Sequence, residues 1–125
     1  EDVQHNAAIV DRTFTVEDVD AQGYGPIMDH IVGEIGDAPT YVSVDIDVLD
    51  PAFAPGTGTP ESGGMTSREM IHFVRSLKRL NVVGFDVVEV APQYDHTGQV
   101  TALAASNLLY EAMSAVAVRR RGTPR

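Results

Sequence analysis

The sequence contains no cysteine. A disulfide framework and a cysteine-ligated zinc site are therefore excluded, and any bound metal must be held by oxygen or by histidine nitrogen. Basic residues are also scarce, with 9 Lys and Arg against 18 Asp and Glu and a formal net charge of −9. The only basic run is the three arginines at 119–121. Because phosphate binding needs clustered Lys and Arg, this balance argues against nucleic acid as a partner.

Long apolar stretches are missing as well. No segment approaches the roughly 18 apolar residues of a membrane span, and the first residues are acidic and mixed rather than basic and then apolar. We therefore expect no membrane partner and a cytoplasmic location. With 125 residues and 43% hydrophobic content, the chain can bury one core. No internal repeat or linker interrupts it, so we expect a single domain over residues 1–125.

Apolar runs and helical spacings alternate along the chain. Short apolar or β-branched runs predict strands at residues 7–10, 41–45 and 82–90. Apolar positions at helical spacing predict helices at 26–35, 67–79 and 100–118. Residues 11–25 are polar and turn-rich, which predicts a loop after the first strand. The order β-α-β-α-β-α predicts an α/β fold of three layers, with a parallel sheet flanked by helices.

Two local patterns sharpen that prediction. Thr66, followed three residues later by Glu69, is a capping box that starts the second helix. The third strand is almost wholly apolar, which is typical of a strand covered on both faces of a sheet. Three such strands would leave an unpaired edge, so we expect the sheet to be completed by a missing segment or by a partner chain.

Acidic residues end every predicted strand. Asp11 follows the first strand, Asp45 and Asp47 follow the second, and Asp86 with Glu89 ends the third. Ligand sites of parallel sheets form at these carboxyl ends. On extended chain Asp45 and Asp47 would point to the same side, and close carboxylates favour a cation between them. Such a pair also commonly caps turns, so the pattern alone leaves both interpretations open.

Two longer motifs carry a family resemblance. The segment SVDIDVLDPAFAPGTGTPESGG at 43–64 and the segment GFDVVEVAPQYD at 84–95 stand in order, joined by a helix. Together they resemble the C-terminal signatures of the ureohydrolases, the arginase and agmatinase family. The resemblance extends over residues 41–117. It implies an arginase-type fold, of which this chain would form the C-terminal half.

The resemblance also implies roles for individual residues. Asp45 would bridge two manganese ions, Asp47 would bind one of them, and Glu89 would pair with the substrate guanidinium. Water activated by the metals would attack the guanidinium carbon and release urea and an amine. Thr59 would contact Glu89 or the substrate, although its loop, taken without the resemblance, fits a tight surface loop with no ligand contact equally well. His96 is expected at the rim of the site from its position alone, seven residues after Glu89 in the loop beyond Pro92. Asp86, at odd spacing from Glu89, is expected to be structural.

Part of the family's ligand set is absent. The Gly-Gly-Asp-His and Asp-Ala-His-x-Asp segments of the ureohydrolases do not occur here, and His5, His30 and His72 stand in no metal-ligand spacing. Because each manganese ion needs about six donors, two aspartates cannot hold two ions. We therefore expect the chain to be inactive alone and to depend on a missing N-terminal half or on homo-oligomer formation. The residue sequences of the two motifs resemble agmatinases more than arginases, which implies a linear guanidino substrate such as agmatine.

Two other functions remain open from the sequence. A truncated or catalytically dead chain could persist as a folding or assembly module, using the alanine-rich face of its last helix. More remotely, an apolar strand that ends in Asp-x-Asp also fits phosphatases of the haloacid dehalogenase type. That class would not predict the Pro-Gly-Thr-Gly-Thr-Pro sequence that follows.

Overall fold

The computed structural model describes residues 12–122. The chain divides into two units, Glu1–Glu34 and Ile35–Arg125. The strand predicted at 7–10 lies outside the described residues, as do His5 and Asp11.

The described part of the first unit is helical. Helix α1 spans Val16–Gln22 and helix α2 spans Tyr24–Ile35. The prediction of a loop over 11–25 was wrong because Thr15 and Asp18 form a capping box: the Thr15 N–H donates to the Asp18 carboxylate at 2.8 Å, and the Asp18 N–H donates to the Thr15 hydroxyl at 3.3 Å. Gly23, at a φ of +79°, ends α1.

The second unit contains a parallel sheet. Strand β1 spans Pro39–Asp45 and strand β2 spans Asn81–Val88. They pair in parallel, with Tyr41 opposite Gly84 and Asp45 opposite Val88. A Cβ at Gly84 would lie 2.5 Å from the Tyr41 ring, so a larger residue there would displace the ring. The Tyr41 ring therefore lies against the backbone of the neighbouring strand.

Helices follow each strand of this sheet. Helix α3 spans Ser67–Ser76 and continues as the 3-10 segment Leu77–Arg79, and the predicted Thr66 and Glu69 capping box is present. Helix α4 spans Val100–Gly122 and packs against α3 and β2. The α/β architecture with a parallel sheet flanked by helices is thus confirmed. The core of the second unit is made of apolar side chains from both strands, both helices and the loop after β1: Val44, Ile46, Leu49, Ala54, Met70, Val74, Leu77, Leu80, Val82, Ala105, Leu108, Ala112 and Ala115.

Helix α4 is longer and more apolar than the sequence analysis expected. It has 23 residues, and one 18-residue window reaches a mean hydropathy of 1.2, which meets the length and composition of a membrane span. Only 28% of that window is buried. Its buried positions, Thr101, Ala105, Leu108, Ala112 and Ala115, recur every three or four residues. Such a stripe is typical of a helix on a domain core, so the hydropathy alone is weak support for a span.

The long loop after β1 is fixed by backbone contacts. The Met65 N–H donates to the Val48 carbonyl at 2.8 Å, and the Asp50 N–H donates to the Met65 carbonyl at 2.9 Å. The Asp50 carboxylate accepts from the N–H groups of Ala52 and Gly63, both at 2.9 Å. These hydrogen bonds place the end of the loop, at Met65, next to its beginning, at Val48 and Asp50. No space remains there for a side chain at Gly64.

We expect Gly64→Ala to destabilise the chain by about 1–3 kcal/mol, the usual cost of overpacking. A Cβ at Gly64 would lie 2.6 Å from the Asp50 nitrogen and 2.7 Å from the Val48 oxygen, and backbone atoms cannot turn away as a side chain can. Urea unfolding measures the effect. Gly58→Ala is the matched control, because a Cβ at Gly58 meets nothing within 4 Å. Equal losses in both variants would contradict the close backbone approach.

Candidate active site

The two strand ends bring the predicted carboxylates to one edge of the sheet. Asp45 is the last residue of β1, and Glu89 directly follows β2. Because Asp45 pairs with Val88 in the parallel register, Glu89 stands one residue beyond the level of Asp45. Both carboxylates therefore lie at the joined carboxyl ends of the strands, where ligand sites of parallel sheets form.

Asp45 and Asp47 are joined by a tight turn. The chain enters a 3-10 segment at Ile46–Val48, so Asp47 does not stand on extended chain as the sequence analysis assumed. The Asp47 N–H donates to the Asp45 carboxylate at 3.2 Å, and Ile46 between them is fully buried at 0% exposure. The buried isoleucine anchors the turn in the core. The two aspartates are thus held together, although by a different backbone geometry.

The Asp45 carboxyl is disfavoured in its charged form. Burial raises the pKa of Asp45, and the nearby carboxylates of Asp47 and Glu89 raise it further, while the hydrogen bond from the Asp47 N–H works in the opposite direction. Like charges gathered in this way gain from a bound cation. The charges of Asp47 and Glu89 therefore both act on Asp45 at the two strand ends.

Glu89 adopts a backbone conformation that favours glycine. Its φ is +61°, and of the described residues other than glycine only Gln99 also has a positive φ. A left-handed conformation costs an L-residue roughly 1–2 kcal/mol. Strained residues of this kind are enriched at functional sites, where the surrounding structure holds them. The backbone energy alone would favour glycine at position 89, but the sequence has glutamate there.

We expect Glu89→Gly to stabilise the chain by about 0.5–1 kcal/mol. Glycine removes the left-handed strain, and the larger conformational entropy of glycine in the unfolded chain offsets part of that gain. Thermal or urea unfolding measures the change. Glu61→Gly is the control, since Glu61 is an exposed loop residue without a positive φ, and we expect no gain there. A loss of stability in Glu89→Gly would show that Glu89 contacts outweigh the strain.

The glycine loop, residues 55–60, lies beside these carboxylates. The Thr59 hydroxyl donates to the Asp47 carboxylate at 2.8 Å. Contact of Thr59 with Glu89 or with substrate stays a prediction, and the bond to Asp47 was not predicted. An isolated bridge between Thr57 and Val90 ties the same loop to the residue after Glu89. The loop therefore contacts both strand ends.

Other predicted residues have separate places. Asp86 accepts hydrogen bonds from the Tyr41 hydroxyl at 2.5 Å and from the Ser43 hydroxyl at 2.6 Å, bonds that lower the pKa of Asp86. This agrees with the structural role expected for it. His96 is exposed in the loop after the 3-10 segment Pro92–Tyr94, and its contact with substrate stays a prediction.

The remaining described histidines, His30 and His72, lie on helices and not at the strand ends. His72 is exposed on α3, as predicted. His30 packs edge-on against the Phe14 ring and lies 3.1 Å from the Glu34 carboxylate. Neither environment brings three ligating side chains together.

Two residues that hold the glycine loop, Asp95 and Thr101, were not predicted from the sequence. The Thr101 hydroxyl accepts a hydrogen bond from the Gly56 N–H at 2.8 Å and donates to the Asp95 carboxylate at 3.0 Å. The local signal was weak, because Asp95 lies five residues before the helix and not directly before it, where a capping residue is recognised. The contact with Gly56, 45 residues away in the chain, carries no local signal.

The donor chemistry of the site fits a hard divalent cation, but the number of donors is too small. Asp45 and Asp47 offer carboxylate oxygens, which suit manganese. Within residues 12–122, no group of three or more His, Cys, Asp or Glu side chains is arranged to hold a metal ion. The described residues could thus supply part of a coordination sphere, and further ligands would have to come from elsewhere.

Fold and site together define an α/β protein with a carboxylate half-site at the ends of a parallel sheet. A profile of the arginase family matches residues 2–115. The chain belongs to the arginase family. The agmatinase of Salmonella paratyphi B is 50% identical over 113 residues, which are 88% of this chain and 37% of that protein.

Solved structures agree with this assignment. The proclavaminate amidino hydrolase of Streptomyces clavuligerus is 47% identical with a TM-score of 0.80, over 85% of this chain and 35% of that one. The arginase of Bacillus caldovelox is 31% identical with a TM-score of 0.73, over 79% of this chain and 34% of that one. The chain thus spans little more than a third of the length of the relatives it matches. The phosphatase alternative is not favoured.

Proposed function

We propose that this chain supplies part of the active site of a manganese-dependent ureohydrolase that cleaves a linear guanidino compound, such as agmatine, to urea and an amine. The observation that carries the proposal is the meeting of Asp45, Asp47 and Glu89 at two adjacent strand ends. The names of the relatives, an agmatinase and an amidino hydrolase, point to the same substrate class.

Each acidic residue has a separate task in the proposal. Asp45 and Asp47 would bind manganese, which when bound supplies an activated water nucleophile and a Lewis acid. The hydrogen bond from Thr59 would fix the orientation of the Asp47 carboxylate. Glu89 would pair with the guanidinium, which stays protonated at every pH at which proteins are folded and whose planar fork suits a carboxylate. The net charge of −9 is compatible with a cationic substrate.

The proposed enzyme needs more chain than the described residues. The sheet of the described part has two strands, and β2 was expected to be covered on both faces. Val83 on β2 is instead 64% exposed, and together with Leu109, Met113 and Val116 of α4 it lines an apolar groove. Unpaired strand edges beside apolar surface are usually covered in native proteins. We infer that the rest of an arginase-family domain covers this groove and that the chain alone is inactive. A cytoplasmic location and homo-oligomer formation belong to the same proposal.

Manganese should stabilise the isolated chain, and Asp45→Asn should abolish that effect. A ligand that binds only the folded state adds about 2.7 kcal/mol to the free energy of unfolding at a concentration 100 times its Kd.

Because the pKa of Asp45 is raised in the folded chain, the metal-free chain loses stability as the pH rises through the carboxylate range. Asp45→Asn removes that loss, so we expect the variant to be more stable than the parent at pH 7 without metal.

Thermal unfolding with and without MnCl2 tests both halves of this prediction. Asp20→Asn is the control, since Asp20 is an exposed acid on α1. If manganese stabilises the parent chain and Asp45→Asn equally, the half-site does not exist, and the chain is better described as a folding or assembly module.

A further inference from the structure

Asp95 organises the start of helix α4. Its carboxylate accepts hydrogen bonds from the N–H groups of Thr101 at 3.0 Å, Ala102 at 3.1 Å and His96 at 2.9 Å. Burial acts to raise the pKa of Asp95, but these hydrogen bonds outweigh it and the pKa is lowered. The first N–H groups of a helix have no partner within the helix, so Asp95 supplies one for two of them.

Thr101 extends this contact to the glycine loop. Its side chain is fully buried at 0% exposure. The hydroxyl has one proton, which it donates to Asp95 at 3.0 Å, and its lone pair accepts from the Gly56 N–H at 2.8 Å. The direction of both bonds is therefore fixed. A buried hydroxyl with both capacities used in this way holds the loop backbone at one distance from the helix.

Gly56 is held from three sides. Its N–H donates to Thr101, and its carbonyl accepts from the Ala91 N–H at 2.8 Å. A Cβ at Gly56 would lie 2.7 Å from the Asp95 Cβ, so the loop backbone packs directly on the Asp95 side chain. Ala91 is two residues beyond Glu89, and the loop is thereby attached to the segment that carries this glutamate. Three residues after Gly56, Thr59 donates to the Asp47 carboxylate at 2.8 Å.

We propose that Asp95 and Thr101 are positioning residues that hold the glycine loop so that Thr59 fixes the Asp47 carboxylate. This rests on the proposed function, because it matters for catalysis only if Asp47 binds metal. A side chain outside the site would thus set the orientation of the Asp47 carboxylate through hydrogen bonds at Gly56 and Thr59 and through the loop backbone between them. Residues that orient metal ligands in this way commonly change metal affinity by 10- to 100-fold when they are mutated.

Thr101→Val separates positioning from helix capping. Valine keeps the shape of threonine and removes the hydroxyl, while the Thr101 and Ala102 N–H groups can still donate to Asp95. In the 125-residue chain we expect amide hydrogen exchange of Gly56 to accelerate about three- to tenfold, and the NMR resonances of Thr59 and Asp47 to move. Thr101→Ser restores the hydroxyl and should reverse both changes. Ser106→Ala, at an exposed position of the same helix, is the matched control.

A double-mutant cycle with Thr59→Val tests the path from its other end. Thr59 is exposed, so this variant leaves the buried bonds in place. If manganese binds, we expect Thr101→Val to weaken it about tenfold in the parent and little further in the Thr59→Val background. Unmoved Thr59 and Asp47 resonances in Thr101→Val, or additive losses of affinity, would overturn the positioning role. If the parent binds no manganese but the resonances still respond, the positioning of Asp47 stands, and the chain alone holds no metal site. Should Thr101→Val not fold, Asp95→Asn weakens the bond that accepts the Thr101 proton, and unmoved Gly56 exchange and Thr59 resonances in that variant would overturn the positioning role.

Discussion

Asp45→Asn and Asp47→Asn are expected to lower urea release from agmatine about a thousandfold in a chimera that joins this chain to the part of the Salmonella agmatinase it does not match. Metal-derived stabilisation of a transition state amounts to several kcal/mol, and each 1.36 kcal/mol is tenfold in rate. The chimera is the right context, because the chain covers 37% of that relative and its described residues hold no group of three metal-ligating side chains.

A graded series of variants makes this prediction specific. Thr59→Val removes the hydrogen bond to Asp47 but no ligand, so we expect a loss of 10- to 100-fold. Asp20→Asn, in the first unit, should leave the rate unchanged. The unjoined chain should release no urea. Activity of the chain by itself would refute the half-site, and equal rates for the parent chimera and Asp47→Asn would remove Asp47 from the metal site.

The fold of the second unit was predictable because its signals are local. Apolar runs identified β1 and β2, and the Thr66 capping box with helical spacing identified α3. The element that was missed, α1, begins with a capping box whose acid is Asp18 rather than the more usual glutamate or glutamine. It also has no buried residue, and without an apolar face the periodicity that predicts a helix is absent.

The site was predictable only as far as topology determines it. Parallel strands place their carboxyl ends together, and this brought Asp45 and Glu89 to one edge. The 3-10 turn between Asp45 and Asp47, and the left-handed backbone of Glu89, depend on packing that spacing does not encode. The same holds for the bond between Gly56 and Thr101, whose partners lie 45 residues apart. Long-range polar contacts of this kind need the folded chain.

Glu89→Gln is expected to lower kcat/KM for agmatine about 10- to 150-fold in the same chimera. Hydrogen bonds to charged groups contribute roughly 1.5–3 kcal/mol, and glutamine keeps the shape of glutamate while it loses the charge that pairs with a guanidinium. Glutamine is not glycine, so it keeps the left-handed strain as well, and stability should change little. Any loss of activity in this variant would then be due to the charge and not to unfolding.

Comparison with Glu89→Gly distinguishes function from fold at one position. Glycine should raise stability while it removes the whole side chain, so activity and stability should change in opposite directions, as expected where strain is retained for function. Glu61→Gln, at an exposed loop site, is the control for loss of charge. Initial rates over a range of agmatine concentrations, with urea unfolding on the same samples, measure both quantities. Unchanged kcat/KM in Glu89→Gln would exclude pairing between Glu89 and the guanidinium. Substrate binding would then not explain the strained backbone of Glu89.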